Sequence, residues 1–311
     1  MAQPDLAYIA LSSRVTDQTE AFLGDDLGLP AFTVTAPDGC KVTGYGVGQT
    51  ALLVFPQGHA FLESGRPGVD HIAIAATDPA AARDATGLPA AELAATGLLA
   101  KPQAGLDRSA TAGVSVRYAP ALSLPAVQRG PVSRIDHIGI ASADNAAAET
   151  VFCGRIGAVY ESRQTDMEVA TAMESFTSDK YGAVYHARKP QTVGGLRVSF
   201  LTIGDLELEF LQDFDPGRGF EISHGAAGTT KQDQSAIGRF VEKHGGGLHH
   251  VALKVDDINL VLSRLAERGN QLIDTVGRPG SRRALIGFVH PSSTGGVLFH
   301  FVQRDELASS P

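Results

Sequence analysis

Two histidines stand side by side at the start of an apolar, β-branched run, GGGLHHVALKVDD (residues 245–257), and a third, His300, lies inside the closing run GVLFHFVQ (296–303). His137 occurs in a similar setting in IDHIGIASAD (135–144), and Glu209 lies between Leu208 and Phe210 in DLELEFLQ (205–212). An unpaired buried imidazole costs on the order of 1–3 kcal/mol, and a buried carboxylate costs more unless it is paired or binds a cation. Three neutral imidazoles and one carboxylate suit a divalent first-row transition ion: Zn, Fe, Co, Ni or Mn. Hard ions that prefer all-oxygen cages are disfavoured. The predicted metal ligands are therefore His137, Glu209, His250 and His300, spaced 72, 41 and 50 residues apart.

Residues so distant in sequence converge only if a regular framework carries them, and the sequence contains one. Four stretches align without gaps: LAYIALSSRV (6–15), VDHIAIAATD (69–78), IDHIGIASAD (135–144) and LHHVALKVDD (248–257). Each is an alternating apolar strand running toward a helix start. After the fourth, Ile258, Val261, Leu262 and Leu265 fall at i, i+3, i+4 and i+7, with Asp257 as N-cap and Gly269 as stop. Further strands follow at 285–291 and 295–304. The unit reads β-α-β-β-β and occurs at about 5–60, 68–122, 133–214 and 247–304. The fold class predicted is α+β: four βαβββ modules forming two paired-module domains with concave mixed sheets, 1–124 and 133–306, joined near 125–134. The third unit carries extra sequence at 161–195 and 215–245, and whether these close over a site as a lid is left open.

Strand alternation puts His137 and Gly139 on one face and Ile138 and Ile140 on the other. By the gapless alignment His250, not His249, matches His137, so His249 is expected to point outward or toward the helix layer. Glu209 and His300 match each other on the last strands of their units. In the N-terminal pair the equivalent positions are Tyr8, roughly Leu53, His71 and Arg117, which cannot hold a cation, so His71 reads as structural.

Composition narrows the partners. With 26 basic and 34 acidic residues and a net charge of −8, the chain offers no basic stripe for nucleic acid. No apolar run approaches the ~20 residues of a membrane helix, and MAQPDLAYIA lacks a secretion signal, so a cytoplasmic protein with a small-molecule substrate is expected. A homodimer is compatible with this reading. Cys40 and Cys153, without a CxxC pair, read as small core residues.

Paired βαβββ units with ligands on first and last strands resemble the vicinal oxygen chelate superfamily, which includes glyoxalase I, methylmalonyl-CoA epimerase, the extradiol dioxygenases and 4-hydroxyphenylpyruvate dioxygenase. GDLELEFLQ (204–212), SAIGRFVEKHGGGLHHVALKVDDI (235–258) and GFVHPSSTGGVLFHFVQ (287–303) are similar to the epimerase. The four-unit layout resembles the dioxygenases. In these relatives the last-strand ligand is usually glutamate, whereas here it is His300, which raises the charge at the ion by one unit. The resemblance implies bidentate chelation of a small carbonyl or acyl substrate, with proton transfer through a chelated enolate as an isomerase, epimerase or lyase. The alternatives it implies are a non-heme Fe(II) dioxygenase and a binding or resistance protein. Glu209 is the candidate base. Glu207 reads as an exposed strand-end carboxylate, and Arg282, Arg283, Arg188 and Lys180 read as surface charge.

Overall fold

Alternating apolar residues bury one face of a strand and leave the other free, and four repeated units of such strands here assemble two sheets. The computed structural model describes residues 4–98, 101–126, 130–180, 182–187, 189–213 and 236–305. The first unit comprises β1 (Leu6–Ser13), α1 (Thr16–Ala21), β2 (Ala31–Thr35), β3 (Lys41–Val47) and β4 (Thr50–Pro56). The second comprises β5 (Gly68–Ala75), α2 (Pro79–Ala85), β6 (Ala90–Ala91), β7 (Ala104–Leu106) and β8 (Val116–Ala119). In the third, β9 (Val132–Ser142) and α3 (Asn145–Val151) lead to β10 (Val159–Ala170), a hairpin of β11 (Met173–Ser178) and β12 (Gly182–Ala187), then β13 (Gln191–Ile203) and β14 (Leu206–Asp213). After α4 (Ala236–His244), the fourth unit runs β15 (Gly247–Val255), α5 (Ile258–Glu267), β16 (Arg278–Pro279), β17 (Leu285–Val289) and β18 (Phe299–Gln303).

The two eight-stranded sheets have matching orders, β2-β3-β4-β1-β5-β8-β7-β6 and β10-β13-β14-β9-β15-β18-β17-β16. In each, the two first strands pair antiparallel at the centre, and each first strand runs parallel to the last strand of its own unit. The fold is the α+β arrangement the repeat predicts. Much of the extra length of the third unit is strand: β10 and β13 pair from Val159 opposite Thr202 to Ala170 opposite Gln191. Most of the polar segment 215–245, residues 215–235, lies outside the described residues.

One apolar cluster runs through both sheets, joining Ile9, Leu11, Ile72 and Ile74 to Ile138, Ile140, Val251, Leu253, Phe299 and Phe301. The rings of Phe22 and Phe299 meet across it at 5.1 Å. Helix α5 buries Ile258, Val261, Leu262 and Leu265, and the Asp257 carboxylate accepts the Leu260 N–H at 2.9 Å, capping the helix as its sequence predicts. With this face spent on the core, His137, Gly139, His250 and His300 are left on the other.

Strict alternation breaks at one recurrent place. Between β15 and β9, Leu248 lies opposite Ile140 and His250 opposite Gly139, so His249 is an extra, bulged residue; Asp136 is extra between Ile135 and His137. In the first sheet Asp70 and Ala7 hold the same position before His71 and Tyr8. A bulge re-aims side chains. Hence His249 does not point outward but lies beside His250, with its ring edge-on to Phe240 of the preceding helix α4. The cysteines also depart from expectation: Cys40 is exposed, in the turn before β3, and Cys153 is half-buried after α3.

Gly139 is where the central pair leaves room. A Cβ on it would collide with the imidazole of His250. Gly139→Ala is therefore expected to destabilise the protein by about 1–3 kcal/mol, measured by urea unfolding, and to displace His250. An unchanged midpoint would show that the ring sits elsewhere.

Candidate metal centre

Cross-strand register assembles the candidate site. Glu209 on β14, Gly139 on β9 and His250 on β15 form one row, and Glu207, His137, Ala252 and His300 form the next, across four adjacent strands. The three predicted imidazole ligands are brought together, and Glu209 lies beside two of them, His137 and His250. Ligand atoms of His137, His250 and His300 lie within 4.8 Å of one another. Glu209 Oε2 is 3.1 Å from His137 Nε2 and 3.7 Å from His250 Nε2. Donors about 2.0–2.2 Å from one ion stand at most about 4.4 Å apart, so a slight contraction would bring the three imidazoles around a cation.

The four side chains are almost sealed, with residue exposures of 3–5%. His250 Nε2 and both ring nitrogens of His300 have no hydrogen-bond partner, and His137 Nε2 meets only the Glu209 carboxylate, at 3.1 Å. Buried polar atoms without partners are rare in folded proteins. A divalent cation among them would satisfy several at once, and the residues fit such an ion. Phe288 packs edge-on against His300 at 4.4 Å and His250 at 5.7 Å, and Phe200 lies edge-on to His137 at 6.4 Å.

The surroundings set protonation. Burial works against charge on His137, but the Glu209 charge and the hydrogen bond to Asp136 prevail and push it up to about 9. Burial drives His250 and His300 well below the ordinary histidine value, with neighbouring imidazoles adding to the effect. Burial would raise Asp136, yet its 2.8 Å bond to His137 Nδ1 and the charges of His137, Arg304 and Arg134 hold it well below the usual carboxylate range. This carboxylate–imidazole pair orients a ring whose other nitrogen faces inward.

Two charged residues sit differently from their sequence reading. Arg282 is not solvated surface: its guanidinium lies 3.6 Å over the Phe200 ring and forks onto Glu207, with 2.8 Å between Nη1 and Oε1. Glu207 is correspondingly no free strand-end carboxylate, because Arg304 also approaches it at 3.6 Å. The Phe200 ring beneath Arg282 supplies the partner that sequence could not show. Arg283 is exposed, as is Lys180, while Arg188 lies outside the described residues.

In the first sheet the same register sets Tyr8, Ala73 and Arg117 in one row and Leu53, Ala10 and His71 in the other. There the polar atoms satisfy one another. Tyr8 Oη lies 3.2 Å from His71 Nε2 and donates to Gln103 at 2.9 Å, while Asp70 Oδ1 is 2.6 Å from His71 Nδ1. Arg117 donates to Glu63 at 2.7 Å and to the Phe61 carbonyl at 2.9 Å. A second grouping, Asp38, Cys40 and His59, could also offer metal donors. There His59 Nδ1 accepts the Phe61 N–H at 3.1 Å, so in the neutral ring Nε2 carries the proton and faces Asp38, which reads as hydrogen bonding rather than ligation.

Comparison with known proteins agrees with this architecture. Residues 136–288, just under half of the chain, match the family model described as Glyoxalase/Bleomycin resistance protein/Dioxygenase superfamily, and this region is similar to that superfamily. It is similar to mitochondrial methylmalonyl-CoA epimerase from Bos taurus, 27% identical over 176 residues, which cover 56% of this chain and 89% of that protein. It is also similar to ethylmalonyl-CoA/methylmalonyl-CoA epimerase from Cereibacter sphaeroides, 28% identical over 141 residues, 44% of this chain and 90% of the relative. A triple mutant of 4-hydroxymandelate synthase from Streptomyces coelicolor shares the fold over the whole length: TM-score 0.61, 15% identity, 100% of this chain and 95% of that one. Among the described residues, no helix is long and apolar enough to cross a membrane.

The orphaned nitrogens carry a stability cost in metal-free protein. His300→Leu is expected to raise metal-free stability by about 1 kcal/mol, because it removes two unsatisfied buried atoms. Urea unfolding in the presence of a chelator measures it, and a lower midpoint would mean that the ring nitrogens have partners.

Proposed function

We propose that this protein is a metal-dependent enzyme that moves a proton at the carbon beside a carbonyl or acyl oxygen, as an isomerase, epimerase or lyase. The observation that carries the reading is the convergence of ring nitrogens of His137, His250 and His300 within 4.8 Å of one another in a sealed site, with His250 Nε2 and both nitrogens of His300 without partners and His137 Nε2 paired with Glu209. These four residues would hold a first-row divalent ion. Such an ion, when bound, stabilises the negative charge that develops on the substrate oxygen as the neighbouring carbon gives up its proton. On this reading residues 133–306 form the catalytic pair of modules, and 1–124 form a pair whose equivalent site is filled by its own hydrogen bonds.

The chain's residues divide the remaining work. Asp136 holds His137 by Nδ1 and directs its Nε2 inward. Phe200 and Phe288 exclude water, which strengthens every electrostatic interaction inside. Glu209, labile on the ion and displaced as substrate binds, would take the substrate proton and return it: of the two carboxylates on this strand face, Glu207 is held by Arg282 and Arg304, whereas Glu209 faces the imidazoles of His137 and His250. The relatives named as epimerases of methylmalonyl-CoA and ethylmalonyl-CoA favour an acyl thioester as substrate.

Incubation of the metal-loaded protein with methylmalonyl-CoA and other 2-substituted acyl thioesters in D2O is expected to place deuterium at carbon 2. Glu209→Gln, in which His137, His250 and His300 still hold the ion at lower affinity, is expected at saturating metal to lose exchange by about 10²-fold or more. Exchange that survives Glu209→Gln would overturn the role of Glu209. Substrate-dependent oxygen uptake without exchange would overturn the proton-transfer reading in favour of oxygenation.

Proton and cation compete for His137 Nε2. Because His137 is raised to about 9 in the metal-free protein while His250 and His300 are neutral, metal affinity is expected to rise about tenfold per pH unit between pH 7 and about 9, then level. Chelator competition across that range checks the slope, and a flat profile would contradict it.

A further inference from the structure

We propose that His249 is a positioning residue for the metal ligand His250: its Nδ1 accepts the proton carried on His250 Nδ1, which keeps His250 Nε2 deprotonated and aimed at the cation. The inference rests on the metal reading of the site. Its geometric basis is a 3.0 Å contact between the two Nδ1 atoms. Two ring nitrogens at that distance share one proton. If His249 donated, the neutral His250 ring would carry its proton on Nε2, the atom that lies 3.7 Å from Glu209 and has no hydrogen-bond partner. That arrangement would close His250 to any cation, so ligation requires His249 to be the acceptor.

The fold prepares His249 for this task in the way it prepares two carboxylates. Asp136 and Asp70 occupy the same bulged position, and each bonds the Nδ1 of the following histidine, at 2.8 Å for His137 and 2.6 Å for His71. Only in the fourth unit does the bulge carry an imidazole. His249 packs edge-on against Phe240 of α4, with centroids 5.0 Å apart, and Arg66 from the N-terminal half lies 4.7 Å over that Phe240 ring. Arg108, also from the N-terminal half, donates to the Gly246 carbonyl at 2.7 Å and braces the start of the same strand. A neutral acceptor leaves the site one negative charge poorer than a second aspartate would. The orientation of His250 thereby depends on α4 and on residues of the metal-free half.

The test is Co2+ affinity of the full chain, measured by chelator competition and the visible absorption of the bound ion. His249→Leu is expected to weaken binding about 10–100-fold, and His249→Asn and His249→Asp, which restore an acceptor, are expected to recover most of it. Equal affinity in wild type and His249→Leu would overturn the inference while leaving the metal reading intact; a wild type that binds no Co2+ would overturn the metal reading on which it rests. A readout on the wild-type chain covers the case in which His249→Leu fails to fold: 15N NMR of metal-free protein is expected to show His250 as the Nδ1–H tautomer. The Nε2–H tautomer would overturn the inference.

Discussion

Three imidazoles stripped of water face one another and a carboxylate across adjacent strands, and the inward nitrogens of His250 and His300 find no hydrogen-bond donor or acceptor, while that of His137 finds only Glu209. In water each would be solvated; inside the sheet each exacts a desolvation cost that the fold must bear. The apolar cluster shared by both sheets stabilises the frame that keeps these groups confined. A divalent ion would satisfy this donor set under the proposed function, and a proton on His137, held by Glu209, fills part of it otherwise.

Duplication explains how distant residues meet. The central antiparallel pairing of β9 with β15 relates the third and fourth units, so that a ligand on the first strand and one on the last of each unit fall in two neighbouring rows. Gly139 has no side chain to occupy the space over which His250 lies. The first sheet serves as an internal contrast: with Tyr8, Leu53, His71 and Arg117 in the same rows, the polar atoms close into hydrogen bonds with Gln103, Glu63 and Asp70. Identical strand order therefore supports either a self-satisfied plug or a cluster with open donors, and a few side chains decide which.

Much of this was legible in the sequence because the signals are periodic. The four echoes of one strand, the helix spacing of Ile258, Val261, Leu262 and Leu265, and the matched positions of Glu209 and His300 all follow from side-chain repeats of two or 3.6 residues. What alternation could not reveal are the places where it breaks. The bulges at Asp136 and His249 insert a residue, and with it a polar neighbour on Nδ1 of His137 and of His250. Arg282 and Glu207 also eluded a local reading, since their pairing depends on Phe200 and Arg304 from other strands. The turn geometry that exposes Cys40 gives no periodic signal at all.

The match over residues 136–288 and the placement of His300 on the last strand of the fourth unit, one strand from His250, bear on the same site. Anomalous diffraction at the absorption edge of a bound metal tests this account most directly. A single peak about 2.0–2.2 Å from His137 Nε2, His250 Nε2, a ring nitrogen of His300 and an oxygen of Glu209 is the predicted result. No peak among those residues in metal-saturated crystals, or one coordinated by other side chains, would contradict it.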